Sequence, residues 1–341
     1  MVVPCVDLDA TIEHLTQQLG LRLASIIPAD DPREAVLVGP FGQLRLRRAT
    51  VDHPRGAVIA VRPSEPELVV PPVAAHFEVS HLGDGSWNVG RAGMHYRDLL
   101  PSRQGGRFIA SHIRIPDGGP VPDSVHHHRI RFQLIYCLAG WVRVVYEDQG
   151  PSFVLDAGDC VLQPPGIRHR VLESSPGLEV VEIGCPAEHV TSIDHELTLP
   201  TARRAPAREF DGQRFVRHVA ADAPWRPWRV PGFVARDTGI ADATGGLGGV
   251  VVARPYPNDG DARRVELAPH DAELVLWFVT SGTMRIEVAG ERPVEAERAT
   301  AAAVSPHAAV VVSDWSDDVE LLEVTLPAVE KWGAPVPRDG A

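Results

Sequence analysis

The sequence predicts a mainly β protein in which two copies of one β-barrel follow each other, with a small α+β module ahead of them. Three observations support this prediction. The chain of 341 residues contains 30 glycines and 31 prolines, which separate short runs of valine, isoleucine and leucine as turns separate strands. A set of motifs recurs after about 140 residues, the length of one barrel. Only residues 9–19 show a clear helical period.

Residues 1–52 are predicted to form the α+β module, a βαβββ unit. Asp9 is a suitable helix N-cap, and Gly20 is a natural C-terminal stop. Three strand-like runs follow, at residues 21–27, 35–38 and 43–48. This order, with the sequence that runs from Val6 to Leu21, resembles one unit of the vicinal oxygen chelate (glyoxalase-like) superfamily. Cys5 and arginines stand where that family has metal ligands, so we expect a structural or pairing role.

Residues 53–75 are predicted to be a linker. This segment contains five prolines and few periodic apolar residues. The first barrel is then expected at residues 76–200 and the second at residues 201–341.

The first predicted barrel carries two segments with candidate metal ligands, a histidine cluster at residues 126–128 and a single histidine, His169. His126 and His128 are two residues apart, so on a strand both side chains point to one face. Further along, two turn sequences, Gly158-Asp159 and Pro164-Pro165-Gly166, bracket a short apolar strand and place His169 at the start of the next strand. The spacing is typical of a metal site in a β-barrel.

The two segments resemble the paired motifs of the cupin superfamily, G-x5-H-x-H-x3-4-E-x6-G and G-x5-P-x-G-x2-H-x3-N. The matching residues are His126, His128, Gly140, Gly158, Pro164, Gly166 and His169. Three positions depart from the motifs: Gln133 replaces the usual Glu, Glu173 replaces Asn, and the leading glycine, Gly119, comes one residue early. The resemblance implies a jelly-roll-like barrel with one divalent transition metal on His126, His128, Gln133 and His169.

The second barrel is predicted to have lost the metal. Gly140-Trp-Val-Arg-Val-Val returns as Gly282-Thr-Met-Arg-Ile-Glu-Val, so the chain resembles a bicupin. Alignment of the two copies puts the following residues at the four ligand positions: Ala268, His270, Val275 and Val311. A single histidine cannot hold a divalent metal, so we expect one ion per chain and an ordinary packing role for His270.

Composition excludes several classes of partner. A net charge of −12 argues against nucleic acid and anionic membranes, and no run of about 18 apolar residues predicts a membrane span. Four scattered cysteines and no visible secretory signal suggest a cytoplasmic protein. We expect a small-molecule substrate, and a homodimer, because both kinds of unit bury sheet edges by pairing.

The predicted ligands favour Lewis-acid chemistry. Three neutral imidazoles and an amide leave the +2 charge of an ion uncompensated, so it polarises a substrate oxygen strongly. In cupins, Gln at this place occurs in enzymes of non-redox reactions, and this resemblance favours an isomerase, lyase or cyclase. An Fe(II)-dependent dioxygenase or oxidase is the first alternative. A non-catalytic ligand-binding or regulatory cupin is the second, and Fe, Zn, Ni, Co and Mn all remain possible.

Two residues are candidates for the acid or base of such a reaction. His112 lies on the strand before the first motif, and Glu182 lies on the strand after the second. Both strands alternate, so either side chain could face outward instead. His189, Asp194 and His195 follow the barrel and could cover its mouth.

Overall fold

The computed structural model describes residues 2–39, 42–49, 68–256 and 263–329. These residues form a mainly β structure, as predicted from the sequence. Most of the predicted linker, residues 53–67, lies outside the described residues. No helix in the described ranges is long and apolar enough to cross a membrane.

The N-terminal module has the predicted order of strand, helix and three strands. Its elements are β1 Val2–Cys5, α1 Leu8–Leu19, β2 Arg22–Ile27, β3 Glu34–Gly39 and β4 Gly42–Arg48. The N-cap is Asp7, not Asp9: the Asp7 carboxylate accepts from the Ala10 amide at 2.9 Å. Gly20 ends the helix in the left-handed region (φ 63°), as expected. The helix packs on the sheet through Leu8, which belongs to a small apolar core with Leu37.

The next part of the chain forms the first barrel. Its elements are β5 Glu78–Ser80, β6 Asn88–Val89, β7 His95–Asp98, α2 Arg103–Gly106, β8 Ile109–Ile115, β9 Gly119–Pro120, β10 His126–Arg129, β11 Phe132–Ala139, β12 Trp141–Tyr146, β13 Phe153–Asp156, β14 Cys160–Leu162, β15 His169–Ser174, β16 Leu178–Cys185 and β17 Val190–Ile193. One sheet contains β14-β11-β16-β8-β7 and the other contains β17-β10-β15-β12-β13. Apolar side chains of both sheets meet in the barrel interior, among them Ile113, Val144 and Leu155.

The remaining elements form the second barrel. They are β18 Glu209–Phe210, β19 Gln213–Arg214, β20 Val216–His218, β21 Arg226–Pro227, β22 Phe233–Asp237, α3 Ile240–Ala243, β23 Gly249–Pro255, β24 Arg264–Leu267, β25 Leu274–Ser281, β26 Thr283–Val288, β27 Val294–Glu297, β28 Ala301–Ala303, β29 Val310–Ser313 and β30 Glu320–Leu326. Its two sheets run β22-β23-β30-β25-β28 and β24-β29-β26-β27.

The internal repeat predicted from the sequence is visible in matching turns. Gly140 and Gly282 both adopt positive φ (72° and 69°) between the two strands of a hairpin. A Cβ on Gly140 would lie 2.3 Å from Ser175 Oγ, and one on Gly282 would lie 2.4 Å from Ser316 Oγ. Both turns therefore require glycine for the same two reasons, backbone conformation and close approach.

The two barrels share a core and exchange strands. One sheet from each barrel contributes to a common apolar cluster, with Phe132 on one side and Phe278 on the other. β5 pairs with β28 of the second barrel, whereas β20 pairs with β14 of the first. Each barrel is thus completed by a strand from the other side of the predicted boundary at residue 200, and the boundary itself stays a prediction.

The module is also fused to the first barrel. Its strand β2 pairs with β17, which in turn pairs with β10, so one sheet runs from the module into the barrel. This continuity places the module one strand away from β10, the strand that carries His126 and His128.

Candidate metal centre

Three buried histidines converge inside the first barrel. His126 and His128 lie on β10, and alternation along the strand directs both inward. β10 pairs antiparallel with β15, and the register places His169 opposite His126. One ring nitrogen from each histidine lies within 4.8 Å of the others. The fold therefore assembles, from two separated motifs, the three side chains that the sequence singled out.

The hydrogen bonds of the three rings fix which nitrogen is available. Nδ1 of His126 donates to the Ser124 carbonyl at 2.8 Å, and Nδ1 of His169 donates to the Ile167 carbonyl at 3.0 Å. Nδ1 of His128 lies 2.9 Å from Thr191 Oγ1. A carbonyl oxygen can only accept, so Nδ1 is the donor in His126 and His169, and both rings keep the lone pair on Nε2. The Thr191 hydroxyl gives His128 the same tautomer when it accepts from Nδ1. Within the described part of the chain, Nε2 of His126 is buried without a hydrogen-bond partner, as expected for an atom that binds a metal.

The electrostatics of the site keep these imidazoles neutral. Burial lowers the pKa of His126 and His128 well below the usual value, and it lowers the pKa of His169 to about 3. The positive charge of Arg91 lowers the pKa of all three rings further. Neutral imidazoles are the form that ligates a metal, so these residues fit a divalent ion.

Gln133 and Glu182 face the same cavity and are bonded to each other. Gln133 on β11 is 2% exposed, and its Nε2 donates to Glu182 Oε1 at 2.6 Å. The Gln133 amide oxygen is then the atom left for a ligand. Burial raises the pKa of Glu182, although the hydrogen bond from Gln133 opposes this shift. Alternation on β16 accounts for the inward position of Glu182, since Val180 and Leu178 also line the cavity.

The cavity is small and mostly apolar. It has a volume of about 80 Å³, and one water needs roughly 10–15 Å³ on this scale, so a molecule of a few heavy atoms fits. Its polar lining residues are Arg91, Tyr96, His128, Gln133, Tyr146, Gln163, His169 and Glu182. Tyr146 stacks on His169, and its hydroxyl accepts from Gln163 Nε2 at 2.8 Å.

An ion pair that lies beside the histidines was not predicted from the sequence. Arg91 Nη1 bonds to Asp123 Oδ1, and Asp123 Oδ1 also accepts from the Ser124 amide at 2.8 Å. Asp123 Oδ2 accepts from the Val171 amide at 2.9 Å, and Oδ1 lies 3.6 Å from His126 Nδ1. Asp123 thus ties Arg91 to both histidine strands. Arg91 lies far from both motifs in the sequence, so spacing could not identify it.

The structure does not bring His112 to this site. On β8 it is Ile113 and Ile115 that line the cavity, so alternation turns His112 to the opposite face. There its Nε2 lies 3.1 Å from Glu179 Oε2, and its ring contacts Phe278 of the second barrel (centroids 6.1 Å apart). The prediction that His112 is a catalytic acid or base is therefore not supported by its position.

The three residues that follow the barrel have different positions. His189 is buried, and its ring centroid lies 5.3 Å from that of His128. Asp194 pairs with Arg168, and His195 Nε2 bonds to the Leu23 carbonyl of the module at 2.7 Å. Only His189 therefore borders the histidine cluster, and the other two join the exit segment to its surroundings.

Apolar side chains fill the interior of the second barrel. Val275, at the place of Gln133, and Trp277 belong to its apolar core. Glu323, at the place of Glu182, bonds to Trp277 Nε1 at 2.8 Å and pairs with Arg229. His270 is buried. Across the described ranges, the single cluster of three potential metal-ligating His, Cys, Asp or Glu residues is the one in the first barrel.

Comparisons with known proteins agree with this architecture. Residues 111–183 match the family model described as a Cupin domain. Oxalate decarboxylase from Lactobacillus farciminis, in a formate complex, is 13% identical, with 77% of this chain and 90% of that chain covered and a TM-score of 0.53. Protein Ylba from E. coli is 11% identical, with 76% and 93% covered and a TM-score of 0.53.

The W96Y variant of Bacillus subtilis oxalate decarboxylase is 14% identical, with 84% of this chain and 88% of that chain covered and a TM-score of 0.53. No curated protein matches the sequence. The two barrels, their internal repeat and these similarities lead to one conclusion: the chain has the bicupin fold, and residues 111–183 of its first barrel match a Cupin domain.

Proposed function

We propose that the first barrel is the active site of a metal-dependent enzyme that acts on a small oxygenated organic substrate by isomerase, lyase or cyclase chemistry. The observation that supports this most directly is the convergence of three neutral imidazoles. The Nδ1 atom of each ring is hydrogen-bonded to a residue outside the cluster. His126, His128 and His169 would hold the ion, and the amide oxygen of Gln133 would be the fourth ligand. One solved oxalate decarboxylase is described with Mn(II) centres, which supports a divalent transition metal here.

A divalent ion with this neutral ligand set would polarise a carbonyl or hydroxyl oxygen of the substrate. The protein's own groups would handle the proton. Glu182 is the one carboxylate that lines the described cavity, and its Oε1 is engaged by Gln133. Its Oε2 is then the oxygen that takes a proton from the substrate and returns it. The Tyr146 hydroxyl accepts from Gln163 and keeps its own proton to donate to the substrate.

The walls of the cavity would exclude water from this proton transfer. Met94, Ile113 and Val144 surround the polar groups, and the low dielectric of such a site strengthens the interactions inside it. The volume of about 80 Å³ favours a substrate with a few heavy atoms.

Metal analysis followed by an oxygen-electrode assay tests the proposal. We expect about one ion per chain and turnover without oxygen consumption. The double variant His126→Ala/His128→Ala should lose the metal, whereas His270→Ala, a matched change in the second barrel, should keep it. An iron-loaded protein that consumes oxygen would replace this proposal with a dioxygenase, and a protein without bound metal would leave a ligand-binding role.

A further inference from the structure

We propose that the metal cavity selects a small carboxylate, and that Arg91 is the residue that binds the carboxylate group. This inference rests on the proposed function, because one oxygen of the ligand would face the ion. It adds the charge class of the substrate and a residue that determines it.

The geometry of Arg91 leaves part of its guanidinium available. Its ion pair with Asp123 uses Nη1, while its Nε is buried and has no hydrogen-bond partner among the residues that the structure describes. The side chain lines the same cavity as His128, His169 and Glu182. A guanidinium binds a carboxylate best through two parallel N–H donors, and the edge that contains Nε remains for such a contact.

Asp123 holds this arginine in place. Its two oxygens accept from the backbone amides of Ser124 and Val171, next to the two histidine strands. The aspartate is 6% exposed, so the ion pair is fixed within the protein. A guanidinium held in this way loses little conformational freedom when a ligand binds.

The charges in the cavity require an anion. Asp123 compensates Arg91, and Glu182 compensates at most one of the two charges of a divalent ion. A positive charge therefore remains, whichever protonation state Glu182 adopts. A net charge buried in an apolar cavity is costly unless it is paired. A monocarboxylate supplies the missing charge, and an uncharged carbonyl compound does not.

Cobalt(II)-loaded protein, titrated with acetate and with the uncharged analogue acetamide, tests the inference. Both probes have four heavy atoms and fit a cavity of about 80 Å³. Binding is followed by the visible spectrum of the ion and by calorimetry. We expect acetate to bind at least about tenfold more tightly than acetamide, the range of a charge-assisted hydrogen bond.

Substitutions then assign the effect to one residue. Arg91→Gln should weaken acetate binding about tenfold or more while the cobalt content is retained, and Arg91→Lys should preserve part of the affinity. Arg143→Gln is the matched control, since Arg143 forms a partly exposed pair with Glu173 and does not line the cavity. It should leave acetate binding unchanged.

The outcomes separate the two proposals. The inference alone is overturned if the protein binds cobalt but binds acetate and acetamide with equal affinity. It is also overturned if the cobalt-loaded Arg91→Gln variant binds acetate as tightly as wild type does. A wild-type protein that binds no cobalt overturns the proposed function and the inference with it. If circular dichroism shows that Arg91→Gln is unfolded, the test rests on two other measurements: the affinities of wild type for acetate and acetamide, and the acetate affinity of Arg91→Lys.

Discussion

Replacing Thr191 with valine tests whether the bond on Nδ1 of His128 prepares this ring to bind a metal. Thr191 Oγ1 lies 2.9 Å from His128 Nδ1 and is fully buried. Valine has nearly the same shape, and the backbone of Thr191 keeps its pairing with Ile26 and His128. The substitution therefore removes one hydrogen-bond acceptor and leaves the strand in place.

The size of the effect follows from what the bond does. It holds the imidazole in the tautomer that presents Nε2, and it fixes the orientation of the ring. Loss of such an outer partner costs roughly 10–100-fold in metal affinity, or about 1.4–2.8 kcal/mol at tenfold per 1.4 kcal/mol. Two other histidines and Gln133 remain, so binding should be weakened and not abolished.

Competition between the protein and a chelator for zinc or cobalt measures this difference. Thr191→Ser should recover much of the affinity because it restores the hydroxyl. Thr238→Val is the control: this buried threonine bonds to the Val250 carbonyl at 2.8 Å in the second barrel, so its loss should affect stability but not metal affinity. Equal affinity in Thr191→Val and wild type would refute this account of the tautomer.

Three further predictions concern ligation, pH and assembly. Gln133→Glu should keep the metal but lower non-redox turnover, because a carboxylate reduces the ion's charge; unchanged cobalt spectra in Gln133→Ala would exclude Gln133 as a ligand. Burial opposes ionisation of Glu179, but hydrogen bonds from His112 and Arg298 outweigh it and lower its pKa to about 2. A lowered pKa means that ionised Glu179 stabilises the folded protein, and this stabilisation is present above pH 4.5 and is lost as the pH falls towards 2. Glu179→Gln should therefore have a lower melting temperature than wild type at neutral pH. Calorimetry should show this difference shrink between pH 4.5 and pH 2. Light scattering should give a homodimer, and a monomer at micromolar concentration would contradict it.

Local patterns were sufficient to predict much of the fold. Turn residues located β14 and the start of β15, because a strand between two turn sequences and glycine at positive φ are local requirements. The second barrel could be predicted because the motifs of the first recur after about 140 residues. The N-cap moved from Asp9 to Asp7 because two aspartates lie close together and only the structure shows which one reaches the Ala10 amide.

The candidate site was predicted less completely, since part of it depends on non-local contacts. Alternation directs His126 and His128 to one face, but it does not decide which face of β8 or β16 is inward. Glu182 and His112 were equal candidates in the sequence, yet one lines the cavity and the other faces the second barrel. The position of Arg91 at the site depends on its ion pair with Asp123, which sequence spacing does not predict. Exchange of β5 and β20 between barrels is likewise a tertiary arrangement that linear periodicity cannot show.

A comparison of the two barrels explains why a repeated fold has one candidate metal centre. Each barrel keeps a glutamate at the same place: Glu182 in the first is half-buried, and Glu323 in the second is buried. Glu323 is paired with Arg229 and bonded to an indole, so its charge is compensated and the surrounding space is filled. Glu182 bonds to the neutral amide of Gln133 and borders a cavity. A carboxylate that is partly withdrawn from water costs free energy unless a cation compensates it, and a divalent ion beside Glu182 would supply that compensation. The first barrel is therefore suited to bind an ion, whereas the second has its compensating charge built into the chain.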